Sequence, residues 1–213
     1  VIYIERSINE QTFNELEIGV ESVTIREDQK EKRRQEILFA GLSLFISKGY
    51  SGTTIKDIAG AVGMSAGLMF HYFASKEELY LALVSQGIEG PMNSVQPTEL
   101  EPMTFFEITA ERILSYIKTQ PFVAKMFVLM HQATYSDDVP ASVKALLTKL
   151  DIHTPTAKII RKGQENGTIR AGDPLALSLA FWSAIQGVAE TMAMNADMPC
   201  PESEWIADIL RAK

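Results

Sequence analysis

The sequence predicts an all-α chain, on three observations. Apolar residues recur at i, i+3, i+4 and i+7 along most of the 213 residues, the spacing of a helix face. No stretch alternates apolar and polar residues as a half-buried strand does. Breakers punctuate the chain at Pro121, Asp137-Asp138, Pro155, Asn166-Gly167, Gly172-Asp173-Pro174 and Pro199 to Pro201. An apolar share of 46% is ample for a packed core. Three regions are expected: an acidic extension over 1–25, a helix-turn-helix unit over 26–78 and a larger helical domain over 79–213.

Residues 1–25 have no clean period and read as a loose helix or a poorly packed extension. Asp28 to Lys48 reads as the first firm helix. Ile37, Leu38, Gly41, Leu42, Leu44 and Phe45 share one broad face, Glu36, Ser43 and Ser47 lie opposite, and Gly49 supplies a stop. A short helix is expected over 55–62, where Ile55, Ile58, Ala59 and Val62 form one buried stripe. Thr54 and Asp57 make a capping-box-like pair before it, with Asp in place of the usual Glu. Gly63 can take the positive φ of a tight inter-helix turn. Ser65 can cap a third helix over 66–73, and Ser75 with Glu78 reads as a full capping box for a fourth. Pro91, Pro97 and Pro102 mark a loop. Further helices are expected over 104–119, 121–134, 139–150, 155–166, 174–195 and 202–212.

Charge is uneven along the chain. Net charge is −7, yet residues 26–80 carry eight Lys/Arg against seven Asp/Glu, while residues 1–25 carry one Arg against five Glu. A small cationic face on an acidic body can dock on phosphates there and repel them elsewhere. In the third helix Met69 and Phe73 lie one turn apart and can join Ile58 and Val62 in the core. Ala66, Gly67, Leu68 and His71 then point outward. An exposed Leu on a short helix suits a thymine methyl, and the small Ala66 and Gly67 let the helix N-terminus approach base edges. Tyr72 and Lys76 can donate to phosphate oxygens, and the amides of Thr53 and Thr54 can bind another phosphate. Lys30, Lys32, Arg33 and Arg34 suit backbone or minor-groove contacts and equally suit a solvated helix face. The candidate DNA-binding residues are Thr53, Thr54, Lys56, Ser65, Ala66, Gly67, Leu68, Phe70, His71, Tyr72 and Lys76. The helix holds no Arg, Asn or Gln, the common bidentate base readers, so specificity is expected from methyl contact, His71 and DNA shape.

Residues 33–80 resemble the N-terminal domain of TetR-family transcriptional regulators. That family's pattern is close to T-T-x-x-I-A-x-x-A-G-V-S-x-G-x-x-Y-x-Y-F-x-x-K-x-x-L. Here it stands as Thr53, Thr54, Ile58, Ala59, Gly63, Ser65, Gly67, Tyr72, Phe73, Lys76 and Leu79. Phe70 replaces the usual first Tyr and removes a hydroxyl that often meets a phosphate. Val62 replaces Ala and Met64 replaces Val. The resemblance implies a repressor whose two C-terminal helices per subunit, here about 155–166 and 174–195, build a four-helix homodimer interface. Two heads related by a two-fold axis would read a palindromic operator in double-stranded DNA, with centres about 34 Å apart or a multiple of it.

The second region supports both expectations in kind. Residues 174–195 are apolar almost all round, interrupted mainly by Ser178, Ser183, Gln186 and Glu190, so the helix needs cover on two sides. Ala176, Ala180 and Ala184 allow a close neighbour. Phe105, Phe106, Tyr116, Phe122, Met126, Phe127 and Met130 suit a core and equally suit an adaptable apolar pocket. The resemblance favours a pocket for a small apolar or amphipathic effector, with Phe122, Met126, Met130, His131, Trp182 and Gln186 as its candidate lining. Such an effector would shift the helix that starts at Ser75 and move the heads. An activator or a ligand-independent DNA binder would share the same head.

Other classes find little support. Gly63-Met64-Ser65-Ala66-Gly67 matches the G-x-S-x-G elbow of serine hydrolases, and Asp137 and His153 follow in triad order. That elbow works only on a strained strand-to-helix turn, and here an amphipathic helix precedes it. No enzyme activity and no cofactor are expected. His71, His131 and His153 lack metal-ligand spacing, so no metal is expected. No apolar run of about 18 residues suggests a membrane span, and the first residues do not read as a signal peptide. A single Cys200 fits a reducing cytoplasm, where the Asn166-Gly167-Thr168 sequon is only a turn.

Overall fold

The computed structural model describes residues 10–95 and 99–213, with side chains from Glu27 onward. Of the sequence-based expectations, those for residues 1–9 and for Pro97 lie outside the described residues. Helices follow in the order α1 (Glu10–Gly52), α2 (Ile55–Ala61), α3 (Ala66–Met69), α4 (Lys76–Ser94), α5 (Pro102–Thr119), α6 (Pro121–Tyr135), α7 (Ala141–Leu147), α8 (His153–Glu165), α9 (Pro174–Met194) and α10 (Ser203–Ala207). Among the described residues the sole strand-like pairing is an isolated antiparallel bridge between Ile169 and Arg211.

Boundaries differ from expectation where a local rule was outweighed. α1 is helical from Glu10, well before Asp28, and its helical backbone breaks at Gly49 (φ 74°). α4 continues through Pro91 to Ser94 instead of ending near Gly90. Proline there loses a bond to the Gly87 carbonyl. The turn is held all the same, because Val95 is buried in the second core and Ser94 Oγ donates to the Pro91 carbonyl at 2.7 Å. Pro102, expected in a loop, is the first residue of α5, the position where a missing N–H costs nothing. Glu101 caps it by accepting from the Met103 and Thr104 amides. Asp173 does the same for α9 ahead of Pro174.

Two apolar cores share α6. The first joins Ile37, Leu38, Leu42 and Phe45 of α1 to Ile58, Met69, Phe73, Leu79, Leu83, Met126, Leu129 and Val143. It runs without a break across residue 78, so the short helices rest on the same core as α4, α6 and α7. The second joins Phe105, Phe106, Leu114, Ala124, Ile160, Phe181, Trp182, Ile185 and Leu210. Phe106, Phe181 and Trp182 meet edge to face within it.

Glycine 163 sets how closely α8 approaches its neighbours. A Cβ at Gly163 would fall 2.6 Å from Ile169 Cγ1 and 3.0 Å from Pro102 Cβ, neither of which is the end of a flexible chain. Overpacking of that kind costs about 1–3 kcal/mol, and Ala regains up to about 1 kcal/mol of helix propensity. Gly163→Ala is therefore expected to lower stability by roughly 1 kcal/mol, read as an earlier midpoint in urea unfolding.

Candidate nucleic-acid interface

The turn between α2 and α3 is built almost wholly from backbone satisfaction. Thr54 Oγ1 accepts from the Asp57 amide at 3.1 Å, and Asp57 Oδ2 accepts from the Thr54 amide at 2.9 Å, a reciprocal capping box. At the far end Gly63 takes φ 64°. Its amide donates to the Gly60 carbonyl and the Met64 amide donates to the Ala59 carbonyl, which together make a Schellman motif. Ser65 then caps α3 by accepting from the Leu68 amide at 3.2 Å. This is also the role of the serine in the G-x-S-x-G segment. The element ahead of it is the helix α2, and His153 contacts Ser178 at 3.0 Å through Nδ1.

The third helix is shorter than expected. Regular α-helix covers Ala66–Met69, and the chain then tightens, with His71 and Tyr72 amides donating to the carbonyls of Leu68 and Met69. The tightening brings Phe73 under the helix beside Met69. Both are fully buried, together with Ile58, whereas Val62 is only half-buried. Leu68 is 46% exposed and Phe70 53%. Ser65, Gly67 and His71 are also exposed, and Ala66 and Tyr72 are half-buried. Lys56 and Thr54 stand exposed on and before α2. Leu68, His71 and Tyr72 line one side of a groove of about 620 Å³, and Gln29, Lys30 and Arg33 of α1 line the other.

Several basic and polar groups turn inward. Lys76 Nζ donates to the carbonyls of Tyr50 (2.7 Å) and Thr53 (2.9 Å) and lies over the Tyr50 ring, so it does not stand clear as a phosphate donor. Burial holds its pKa below the ordinary 10.5. Thr53 is fully buried; its hydroxyl donates to the carbonyls of Leu44 and Gly49, and its amide donates to that of Tyr50. The two amides read as a phosphate site, those of Thr53 and Thr54, are thus both occupied within the chain. Arg33 donates to the Val62 carbonyl at 2.8 Å, and Arg34 donates to the Tyr72 carbonyl at 2.9 Å with its guanidinium over the Phe73 ring. Gln29, on the groove wall, was missed from sequence. The inward roles of the arginines had a readable signal, because the carbonyls ending a short helix need a donor. Ser75 caps α4 by accepting from the Glu78 amide, but Glu78 returns to the Ala74 amide and not to that of Ser75, so the box is shifted by one residue.

The expected effector residues are brought together as packed structure. Met126 and Trp182 are buried, and Trp182 Nε1 donates to Thr156 Oγ1 at 3.1 Å. Phe122 stacks on Phe39, and Met130 lies against Gly87. Gln186 donates to the Phe127 carbonyl (3.2 Å) and to Glu190 (2.6 Å), whose other partner is exposed His131. Burial alone would raise the Glu190 carboxyl, but bonds from Gln186 and His131 outweigh it and hold the group below its ordinary value. None of these six residues lines the two open concavities beside α3. Among the described residues no three His, Cys, Asp or Glu side chains are grouped for a metal, and no helix is long and apolar enough to cross a membrane.

Residues 37–83 match the family model for bacterial regulatory proteins of the tetR family. The likeness to that family is carried by this segment. The chain is 44% identical over 54 residues to the HTH-type transcriptional repressor AcnR of Corynebacterium diphtheriae, an alignment covering 25% of this chain and 28% of AcnR. A Bacillus subtilis HTH-type regulator, YfiR, is 35% identical over 32% of this chain and 33% of its own length. The chain thus spans about a third of these curated relatives. Among solved structures, AibR in complex with isovaleryl coenzyme A and operator DNA superposes with a TM-score of 0.59 at 21% identity, over 83% of this chain and 94% of that one. That superposition extends the shared fold, an N-terminal helix-turn-helix followed by a helical domain, well beyond the matched segment. The relatives are named as repressors or regulators, a non-enzymatic role.

The Asp57 carboxyl is held below its ordinary 3.8 by its hydrogen bonds from Thr54 and Lys48. A depressed acid stabilises the fold above its unfolded pKa and loses that contribution as pH falls through the folded value. Asp57→Asn is expected to lower stability at pH 6 and to converge on wild type under acid. Urea unfolding at stepped pH reads this; a gap that persists below the folded value would contradict it.

Proposed function

We propose that this chain is a dimeric, ligand-responsive regulator of transcription, a repressor released from a palindromic operator by a small apolar or amphipathic ligand. The observation that carries the reading is the division of α3 and the turn after it: Met69 and Phe73 are buried, while Leu68, Phe70 and His71 are exposed and a groove beside them is walled by Lys30 and Arg33. In this reading Ser65, Ala66 and Gly67 bring the start of α3 to the base edges, and Leu68 meets a thymine methyl. His71 and Tyr72 reach the groove edge, and Phe70 packs on the sugar-phosphate chain. Thr54, Lys30, Lys32 and Lys56 face phosphates, while Thr53 and Lys76 act from behind by fixing the loop that enters α2.

The dimer reading rests on α9. Leu175, Ala176, Leu179, Ala180, Ser183 and Gly187 form an exposed stripe whose small residues admit a second copy closely, with Leu179 57% exposed. The ligand reading rests on the Trp182, Gln186, Met126 and Met130 region, and the presence of an acyl thioester beside operator DNA in the AibR structure supports an effector with an apolar arm. A ligand acts only by preferring one head arrangement over the other. Cytoplasmic residence goes with this function.

Ligand-independent DNA binding is the second reading, and the closed packing around Trp182 favours it. A thermal midpoint that rises with acyl-CoA concentration supports the first, and a midpoint indifferent to a metabolite panel supports the second. Selection from random duplexes is expected to recover two inverted half-sites; asymmetric sequences would refute the paired heads. Leu68→Ala should relax preference at one position per half-site by about 1 kcal/mol. Lys56→Ala should weaken all sequences alike and reduce the salt slope by about 1; an unchanged slope would remove Lys56 from the phosphate contacts.

A further inference from the structure

The face assigned to DNA is shared with carboxylates. A second concavity, of about 320 Å³, is lined by Glu27, Lys30, Glu31, Arg34, His71 and Tyr72. Glu27, Asp28 and Glu31 are exposed, so two acids open onto the same surface as His71. They end a longer acidic run, since residues 1–28 hold seven Asp/Glu against two Arg. α1 is helical from Glu10, and its first fully buried described side chain is Ile37. At 1.5 Å per residue the helix therefore extends roughly 30 Å on the N-terminal side of Lys30. Duplex DNA carries about one negative charge per 1.7 Å, and a carboxylate within a Debye length of about 10 Å is repelled by it.

We propose that the acidic N-terminal arm, ending at Glu27 and Glu31 beside His71 and Tyr72, is an electrostatic brake that lowers the affinity of the head for DNA. The brake rests on the DNA reading of the head and adds a built-in limit to it. It acts on all sequences alike, because phosphates carry no sequence information. Non-specific binding therefore falls, and the contacts to base edges take a larger share of what remains. Salt weakens the brake as it weakens the lysine contacts, so the wild-type salt slope is shallower than that of an unbraked head.

The test is full-length protein titrated with a random-sequence duplex of about thirty base pairs at two salt concentrations. E27Q/E31Q is compared with wild type, with the same pair plus E17Q/E21Q, and with E27D/E31D. Glutamine at 31 still offers an oxygen to the Gln35 amide, which Glu31 accepts at 2.7 Å, so the helix surface is kept. Affinity at about 50 mM salt is expected to rise roughly threefold for the pair and about tenfold for the quadruple variant, with both gains vanishing near 0.5 M. The aspartate pair should match wild type. Equal affinities at low salt, or a gain that survives high salt, overturn the brake while leaving the DNA reading intact. Binding by no form of the protein overturns both.

Discussion

A helix of four residues cannot stand alone in water, because nucleation costs more than its few bonds return. α3 exists because Met69 and Phe73 are buried beneath it against α1, α2 and α4. The outer surface is defined by the same fact: with Met69 and Phe73 fixed below, Leu68, Phe70 and His71 are left outside. The carbonyls that end α2 and α3 are then closed by cations from elsewhere in the chain, Arg33 on Val62 and Arg34 on Tyr72, while Lys76 closes those of Tyr50 and Thr53 just ahead of α2. Cations at helix C-termini also oppose the local negative end of the helix dipole. The basic residues of the head therefore divide by position. Arg33, Arg34 and Lys76 bind the protein to itself, and Lys30, Lys32 and Lys56 remain exposed.

Much of this was legible because it is local. The Thr54–Asp57 box, the Gly63 turn and the Ser65 cap each depend on residues within a few positions, and each is found. So is the burial of Ile58, Met69 and Phe73, which follows from helical spacing. What sequence could not carry is long-range. Nothing near Lys76 indicates that Tyr50 and Thr53, more than twenty positions earlier, would present carbonyls to it. Pro91 has the local chemistry of a breaker, yet α4 runs through it to Ser94 with Val95 buried just beyond. Residue type does not separate an effector pocket from packing at Phe122, Met126 or Met130, because Met and aromatic side chains fill a core as readily as they line a pocket.

The continuity of the first core alters how the two ends of the molecule can communicate. The helix starting at Ser75 is one physical link between the ends. α6 is a second physical link, because it belongs to both cores. On one side Lys125 donates to Ser43 at 3.0 Å, Phe122 stacks on Phe39, and Gln132 reaches the Ile46 carbonyl, all on α1. On the other side Gln186 holds the Phe127 carbonyl, and Glu190 pairs with His131, both from α9.

That arrangement constrains any effector mechanism. A ligand that took Gln186 or Glu190 for itself would remove hydrogen bonds that tie α9 to α6 while leaving the contacts of α6 to α1 intact. α6 would then move with the head or not at all, since packed helices shift as units between discrete arrangements. Gly87 marks where α4 is tied to the same event: the Met130 sulfur of α6 sits where a Cβ would be, 2.4 Å from its ideal position. α4 and α6 are interlocked at that point, so displacement of one is felt by the other, and both carry the core on which Met69 and Phe73 rest. Met69 and Phe73 thus rest on a core that α6 enters from one side while it packs on α9 from the other, so a change at Gln186 has a packed route to the head.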